Sequence, residues 1–139
     1  MVGCGPLPIT LLHVAAKYPS MVLKGMDIDL NAIEVAREVV QAAVRPHIHL
    51  IHSHGASYSY HHADIVYIAN LVLPKADVSM RIANTASLGT LVVLRDPTES
   101  GLHLADSGLN SLSSKFCVVG KGNDSELFHS RHIFLRLIN

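Results

Sequence analysis

The amino-acid sequence predicts an α/β protein in which a parallel sheet is covered by helices on both sides. Mostly apolar segments with strand character recur along the chain, segments with helical periodicity separate them, and no internal repeat interrupts this order. Right-handed crossovers between such strands place the loops that follow them along one edge of a doubly wound sheet. Ligands of these sheets bind at that edge, so functional residues are expected in those loops.

The composition indicates one domain over residues 1–139. Hydrophobic residues make up 49% of the chain and charged residues 16%, which excludes a disordered protein. Eleven basic side chains balance eleven acidic ones, so no basic field predicts binding to nucleic acid or to a membrane surface. No apolar run reaches the roughly 18 residues that cross a bilayer. Two cysteines make no disulfide framework, and a cytoplasmic location is the default expectation.

In the first half of the chain, the apolar spacing predicts a helix over 7–17 with Pro8 in its first turn. A mostly apolar strand is expected over 21–27. Asp29 then precedes a run with helical periodicity and is predicted to be its N-cap, and the helix is expected to end at Arg45-Pro46.

The second half of the sequence contains more predicted strands than helices. The apolar residues at 64–70 do not alternate with polar ones, so the strand there is expected to be buried on both faces. The tail predicts a closing antiparallel pair. The strands are expected at 47–52, 64–70, 89–95, 115–120 and 132–138, and the helix at 74–84.

The segment V-G-C-G-P-L-P at residues 2–8 predicts a ligand-binding turn. Gly3 and Gly5 allow the backbone to approach a ligand closely because they carry no Cβ. Asp27 follows Gly5 by 22 residues and ends the second expected strand, the spacing at which nucleotide-binding folds place a carboxylate for the ribose hydroxyls. The alternative is a tight strand-to-helix turn with Asp27 as a surface cap.

The nucleotide is predicted to lack phosphates. A dinucleotide fingerprint has a third glycine where this chain has Pro8, and Pro6 and Pro8 remove two N–H donors that a diphosphate would use. S-adenosylmethionine carries ribose and adenine without phosphate and therefore fits this turn.

Several segments resemble nicotianamine synthases and the related bacterial synthases of opine-type metallophores such as staphylopine and pseudopaline. The similarity is carried by G-C-G-P-L-P-I-T, G-M-D-I-D-L-N-A-I-E-V-A-R, D-I-V-Y-I-A-N-L-V-L-P-K and G-T-L-V-V-L-R, and it covers about residues 2–95. The resemblance implies a Rossmann-like, class I methyltransferase-like sheet whose first strand, reduced here to Met1-Val2, is largely truncated. The family's helical N-terminal part, which supplies the groups thought to activate the amine, is absent, so the chain is expected to be a fragment that is inactive alone.

The resemblance also implies the reaction. Proteins of this family use S-adenosylmethionine as co-substrate and transfer its 3-amino-3-carboxypropyl (aminobutanoyl) group to a small-molecule amine such as histidine, in metallophore biosynthesis. The cofactor's pose relative to the nucleophile decides which of the three carbons on sulfur reacts. The catalytic base and the oligomeric state stay open, with a homodimer as one alternative.

Carried over to this sequence, the resemblance implies a set of binding residues. Gly3, Cys4 and Gly5 would line the amino-acid and sulfonium end of the cofactor, Asp27 would bind the ribose, and Ile28 would lie beside the adenine.

The remaining implied positions follow later strands. Gly55 and Ala56 would border the adenine, Asn70 would face the reacting centre, and Arg95 would pair with a carboxylate of substrate or cofactor. A surface salt bridge is an equal alternative for Arg95.

Two other functional classes share these features. A small-molecule methyltransferase would use the same turn and Asp27, and a non-catalytic nucleotide-binding module would retain only binding. The run H-I-H-L-I-H-S-H at 47–54 suggests a metal, but strand geometry places His47 and His49 on one face and His52 and His54 on the other, so no metal site is predicted.

Overall fold

The computed structural model describes residues 1–98, 108, 112–122 and 130–139, and it divides into two compact units. Unit 1 comprises Met1–Gly55 and unit 2 comprises Ala56–Asn139. Both combine helices with strands, which confirms the α/β prediction. None of the helices in the described ranges has the length and apolarity needed to cross a membrane.

Unit 1 contains two helices and two paired strands. They are α1 (Ile9–Lys17), β1 (Leu23–Asp27), α2 (Leu30–Ala42) and β2 (Ile48–His52). The two strands are parallel, and the register pairs Asp27 with His52 at their carboxyl ends. Val2 forms a single parallel bridge with Met26, so the residue pair before the glycine turn does occupy a strand position beside β1.

The α2 helix begins where the sequence predicts. The side chain of Asp29 accepts a hydrogen bond from the backbone N–H of Asn31 at 2.9 Å, which is the N-cap interaction that satisfies a free helical donor. The helix ends at Ala42, three residues before the predicted stop at Arg45-Pro46.

The core of unit 1 forms beneath the glycine turn. Its buried residues come from the turn, both helices and both strands: Cys4, Leu11, Ala15, Leu23, Ile33, Val40 and Ile48. Gly25 lies within this core, and the packing around it leaves no room for a side chain. A Cβ at this position would lie 2.5 Å from Leu11 Cδ1 and 2.9 Å from Leu50 Cδ2.

Unit 2 holds a mixed sheet with strand order β3-β4-β6-β5. Among its described residues the elements are β3 (Ile65–Ile68), α3 (Lys75–Thr85), β4 (Leu91–Pro97), β5 (Phe116–Lys121) and β6 (Ser130–Leu137). The β3 and β4 strands are parallel, and β6 pairs antiparallel with both β4 and β5. This confirms the predicted closing pair. The β5–β6 register shifts between Val118 and Gly120, which marks a β-bulge.

The two faces of this sheet differ in burial. Val66, Ile68, Val92 and Leu94 alternate with half-exposed residues and are almost completely buried. The prediction that the 64–70 strand is buried on both faces is wrong, because Ile65 is 51% exposed at the end of the strand order.

Candidate ligand site at the glycine turn

The glycine turn is built from a backbone conformation that favours glycine. Gly3 has a φ of 72° and Gly5 a φ of 65°, both in the left-handed region. The N–H groups of Gly3 and Cys4 both donate to the carbonyl oxygen of Met26, at 2.9 and 3.0 Å. The turn is therefore held against the carboxyl end of β1, as the doubly wound arrangement predicts.

Asp27 connects the turn to the start of α2. Its Oδ2 accepts a hydrogen bond from the Gly5 N–H at 2.9 Å, and its Oδ1 accepts one from the Asp29 N–H at 3.1 Å. The two places that the sequence predicts to share a ligand are thus in direct contact. Each carboxylate oxygen has further lone-pair capacity, so the group can still accept hydrogen bonds from a ligand.

The backbone donors of residues 3–5 are already used. The N–H groups of Gly3, Cys4 and Gly5 bond to Met26 and Asp27, and Pro6 and Pro8 carry none. Within residues 1–98, the carbonyl oxygens of positions 3–5 accept no hydrogen bond. Residues 3–6 therefore offer no free N–H to a phosphate. The open carbonyl oxygens of positions 3–5, beside a carboxylate, attract hydrogen-bond donors and positive charge.

Ile28 lies exposed beside Asp27, where the sequence resemblance implies an adenine. Its side chain is 63% exposed, and its carbonyl oxygen lies 2.9 Å from Nε2 of His52. The N–H of Ser53 donates to the Asp27 carbonyl at 2.9 Å. His52 thus holds the turn that carries Asp27 and Ile28. Sequence reasoning missed this role, although the pairing of two carboxyl strand ends could have indicated it.

The side chain of Cys4 does not face the ligand side of the turn. It is 5% exposed and belongs to the core of unit 1. Burial, reinforced by the charge of Asp27, raises the pKa of its thiol to about 11, so the group stays protonated at neutral pH. Because the side chain fills the core, only the backbone of Cys4 is available for the cofactor contact that the resemblance implies.

The residues implied to border the adenine follow β2 in the sequence. Gly55 is buried three residues beyond β2, and Ala56 is the half-buried first residue of unit 2. Among the described residues, no group of three or more His, Cys, Asp and Glu side chains is placed to hold a metal ion.

Asn70 follows β3 in unit 2. Its backbone carbonyl accepts a hydrogen bond at 2.6 Å from Nζ of Lys75, a side chain that is only 1% exposed. Its side-chain oxygen Oδ1 is buried and has no hydrogen-bond partner. The backbone of Asn70 is thus anchored while its side-chain acceptor is unused.

Arg95 belongs to a polar cluster on β3, β4 and β6. Its Nε donates to Ser130 Oγ at 2.9 Å, and Tyr67 Oη lies 3.1 Å from Nε2 of His132, the residue opposite Arg95. Burial raises the pKa of Tyr67, which the nearby Arg95 charge opposes. Burial and the same charge lower the pKa of His132. The sequence did not predict this cluster, because its members are up to 65 residues apart.

Comparisons with known proteins give a consistent structural result. No protein-family model and no curated protein matches the sequence. A solved structure of a MtNAS (nicotianamine synthase) mutant in complex with S-adenosylmethionine is similar over 99% of this chain and 53% of that chain, with a TM-score of 0.86 and 20% identity. MtNAS in complex with MTA and tNA gives a TM-score of 0.87 at 20% identity, with 99% and 52% covered.

A methyltransferase also has this fold. The N-methyltransferase NodS from Bradyrhizobium japonicum is similar over 99% of this chain and 84% of its own, with a TM-score of 0.74 and 15% identity. The chain spans about half the length of the MtNAS chains it matches. The strand order, the parallel pairs and these similarities together show that the chain has the α/β fold of class I S-adenosylmethionine-dependent methyltransferases.

Proposed function

We propose that unit 1 binds S-adenosylmethionine at the glycine turn. The observation that carries the proposal is the hydrogen bond between the Gly5 N–H and Asp27 Oδ2, which joins an acceptor-rich turn to a carboxylate. The Asp27 carboxylate would accept the ribose hydroxyls. The open carbonyl oxygens of Gly3 and Gly5 would face the positively charged sulfonium and ammonium end.

The uncharged parts of the ligand have matching partners. The exposed side chain of Ile28 offers an apolar surface for the adenine, with its backbone held by His52. Gly55 and Ala56 are proposed to border the adenine from the loop after β2. Arg95 is proposed to pair with a carboxylate group of the substrate.

The proposed activity is transfer of the 3-amino-3-carboxypropyl group to an amine. When bound, S-adenosylmethionine supplies an electrophilic carbon next to its sulfonium. The amine lone pair would form the new N–C bond, the C–S pair would go to sulfur to give a neutral thioether, and the nitrogen would release a proton to solvent. The similarity to MtNAS with bound S-adenosylmethionine and with MTA supports this choice.

A methyltransferase is the second candidate, supported by the structural similarity to NodS. The two activities differ in the product derived from the co-substrate, which is methylthioadenosine for aminobutanoyl transfer and S-adenosylhomocysteine for methyl transfer. Mass spectrometry after incubation with S-adenosylmethionine and histidine separates them.

Calorimetry tests the binding step directly. S-adenosylmethionine is expected to bind, whereas NAD and ADP are expected to bind at least about tenfold more weakly, because residues 3–6 offer a diphosphate no free N–H. Tighter binding of NAD or ADP than of S-adenosylmethionine, or no binding of S-adenosylmethionine, would contradict the proposal.

A further inference from the structure

The peptide unit between Ile28 and Asp29 (the 28–29 peptide) is held by a hydrogen bond at each of its two polar groups. Its carbonyl oxygen, which belongs to Ile28, lies 2.9 Å from Nε2 of His52. Its N–H, which belongs to Asp29, donates to Oδ1 of Asp27 at 3.1 Å. The peptide unit is planar, so these two groups cannot turn independently of each other. The position of the His52 ring is therefore coupled through one rigid plane to the orientation of the Asp27 carboxylate.

The chemistry of the atoms defines the direction of each hydrogen bond in this chain. A carbonyl oxygen only accepts, so Nε2 of His52 carries the proton and donates it. The neutral ring is then the Nε2–H tautomer, in which Nδ1 is unprotonated. A carbonyl that accepts a hydrogen bond polarises its peptide unit and makes the N–H of that unit a better donor. The bond from His52 thus strengthens the bond that Asp29 donates to Asp27.

Hydrogen bonds rather than packing hold this corner of the chain. His52 and Asp29 are exposed, and the side chain of Ile28 is 63% exposed. The Ser53 N–H donates to the Asp27 carbonyl at 2.9 Å, which is the backbone support one peptide earlier. In the part of the chain that the structure describes, Ile28 makes no hydrogen bond other than the one with His52. Without the imidazole, the 28–29 peptide is free to rotate.

The strand register brings the imidazole to this corner. Asp27 and His52 are register partners at the carboxyl ends of the parallel strands β1 and β2. Their side chains therefore project from the same face of the two-stranded sheet. A hydrogen bond between exposed groups contributes little to global stability, so the main effect of the bond from His52 is local orientation.

We propose that His52 is a positioning residue for ribose recognition, which orients the Asp27 carboxylate through the 28–29 peptide. This inference rests on the proposed binding of S-adenosylmethionine at the glycine turn. A carboxylate binds two adjacent hydroxyls well only when its lone pairs are directed at both of them. The bond from the Gly5 N–H to Oδ2 does not depend on His52. Removal of the imidazole therefore keeps the carboxylate charge in place but leaves Oδ1 without a fixed partner.

Two nucleosides isolate this orienting effect. Adenosine and 2′,3′-dideoxyadenosine differ only in the two ribose hydroxyls, so the ratio of their Kd values reports how well the carboxylate is directed. Calorimetry on the wild-type chain is expected to show that adenosine binds about tenfold or more tightly than the dideoxy compound. In His52→Leu the ratio is expected to fall below about threefold. A merely structural role would weaken both ligands equally and leave the ratio unchanged.

Two further variants complete the comparison. His52→Gln keeps an N–H donor within reach of the Ile28 carbonyl and is expected to retain the wild-type ratio. His49→Leu is the matched control, because it removes an exposed histidine from the opposite face of the same strand. Thermal melting checks that each variant is folded. A wild-type ratio in His52→Leu, a ratio as low in His52→Gln, or an equal loss in His49→Leu would overturn the inference.

Nuclear magnetic resonance tests the hydrogen-bond chain without a ligand. Long-range proton–nitrogen spectra of the full chain at pH 8 are expected to show the proton of the His52 ring on Nε2. The amide proton signal of Asp29 is expected to move upfield in His52→Leu and to stay in place in His52→Gln, because only the first loses the donor. A ring proton on Nδ1, or an Asp29 signal that is unchanged in His52→Leu, would overturn the inference.

The wild-type ratio separates this inference from the proposed function. Equal affinity of the wild-type chain for the two nucleosides would overturn the assignment of Asp27 to the ribose, and the proposed function with it. A tenfold preference for adenosine that survives in His52→Leu would overturn this inference alone.

Discussion

The backbone N–H of Gly5 donates a 2.9 Å hydrogen bond to Oδ2 of Asp27, across 22 residues of sequence. This contact joins the glycine turn to the carboxyl end of β1. The second carboxylate oxygen bonds to the N–H of Asp29, the N-cap of α2. One side chain thus organises the turn, the strand end and the helix start that together form the candidate site.

Replacing Asp27 is expected to abolish most of the ligand affinity. Asp27→Asn removes the charge and turns one acceptor into a donor that cannot bond to a backbone N–H. Loss of one or two charge-assisted hydrogen bonds weakens S-adenosylmethionine binding by about 10- to 100-fold. Calorimetry measures the change. Asp64→Asn is the matched control, since Asp64 is an exposed carboxylate in unit 2, and equal effects of the two substitutions would argue against a specific role for Asp27.

A methyl group at position 25 is expected to destabilise unit 1. The added Cβ of Gly25→Ala would lie 2.5 Å from Leu11 Cδ1, 2.9 Å from Leu50 Cδ2 and 3.3 Å from Cys4 Cβ, so side chains must move. Overpacking of this kind reduces the free energy of unfolding by about 1–3 kcal/mol. Gly120→Ala is the control, because its Cβ meets Phe134 only at an ordinary 3.6 Å. Denaturant unfolding measures the free energy of unfolding of both variants. Equal values would contradict the prediction and show that the core under the turn can expand freely.

The Asp29 cap is expected to contribute to the stability of α2. Asp29→Ala removes the 2.9 Å bond to the Asn31 N–H and lowers the free energy of unfolding by about 1 kcal/mol. Urea denaturation measures the change. Asp77→Ala in the first turn of α3 is the comparison, because Asp77 is acidic near a helix start but is not its N-cap. A cost no larger than that of Asp77→Ala would exclude a capping contribution.

Cys4 is expected to resist alkylation in the folded protein. Its pKa of about 11 leaves little thiolate at pH 8, and its side chain is buried. Iodoacetamide at pH 8 should modify the half-buried Cys117 well before Cys4, and denaturant should remove the difference. Peptide mass spectrometry follows both sites. Rapid modification of Cys4 without denaturant would show that the turn opens readily.

The pH dependence of stability is expected to report on His132. Burial and the charge of Arg95 lower the pKa of His132 in the folded state, so the unfolded chain binds the proton more readily. This contribution to the free energy of unfolding is present above the ordinary histidine pKa of about 6.5 and is lost as the pH falls through that value and below it. Chemical unfolding at pH 8 and pH 5.5 measures the loss, which His132→Gln should reduce. An unchanged pH dependence in the variant would contradict this assignment.

Local sequence signals predicted the elements well because each is set by nearby residues. Apolar periodicity located the three helices and the strands of the described residues to within a few positions, and Asp29 was identified as a cap from its place before the helical run. The pairing of the glycine turn with Asp27 followed from strand order, which fixes where carboxyl ends meet.

The features that the sequence did not predict depend on contacts between distant residues. Whether Cys4 faces a ligand or the core is decided by packing against Leu11 and Leu23, which are placed by other elements. The contact between Tyr67 and His132 depends on the position of β6 beside β4, and local propensity carries no information about that pairing.

The irregular register of β5 has a consequence for the solubility of unit 2. This strand ends the sheet order and exposes Val118 and Val119 at 48% each, which would make a regular strand a template for pairing with other molecules. The bulge at these residues displaces the backbone N–H and C=O groups along the edge of the sheet. Lys121 adds a charge at the end of the strand. The bulge therefore disfavours aggregation through pairing of this edge strand with another molecule.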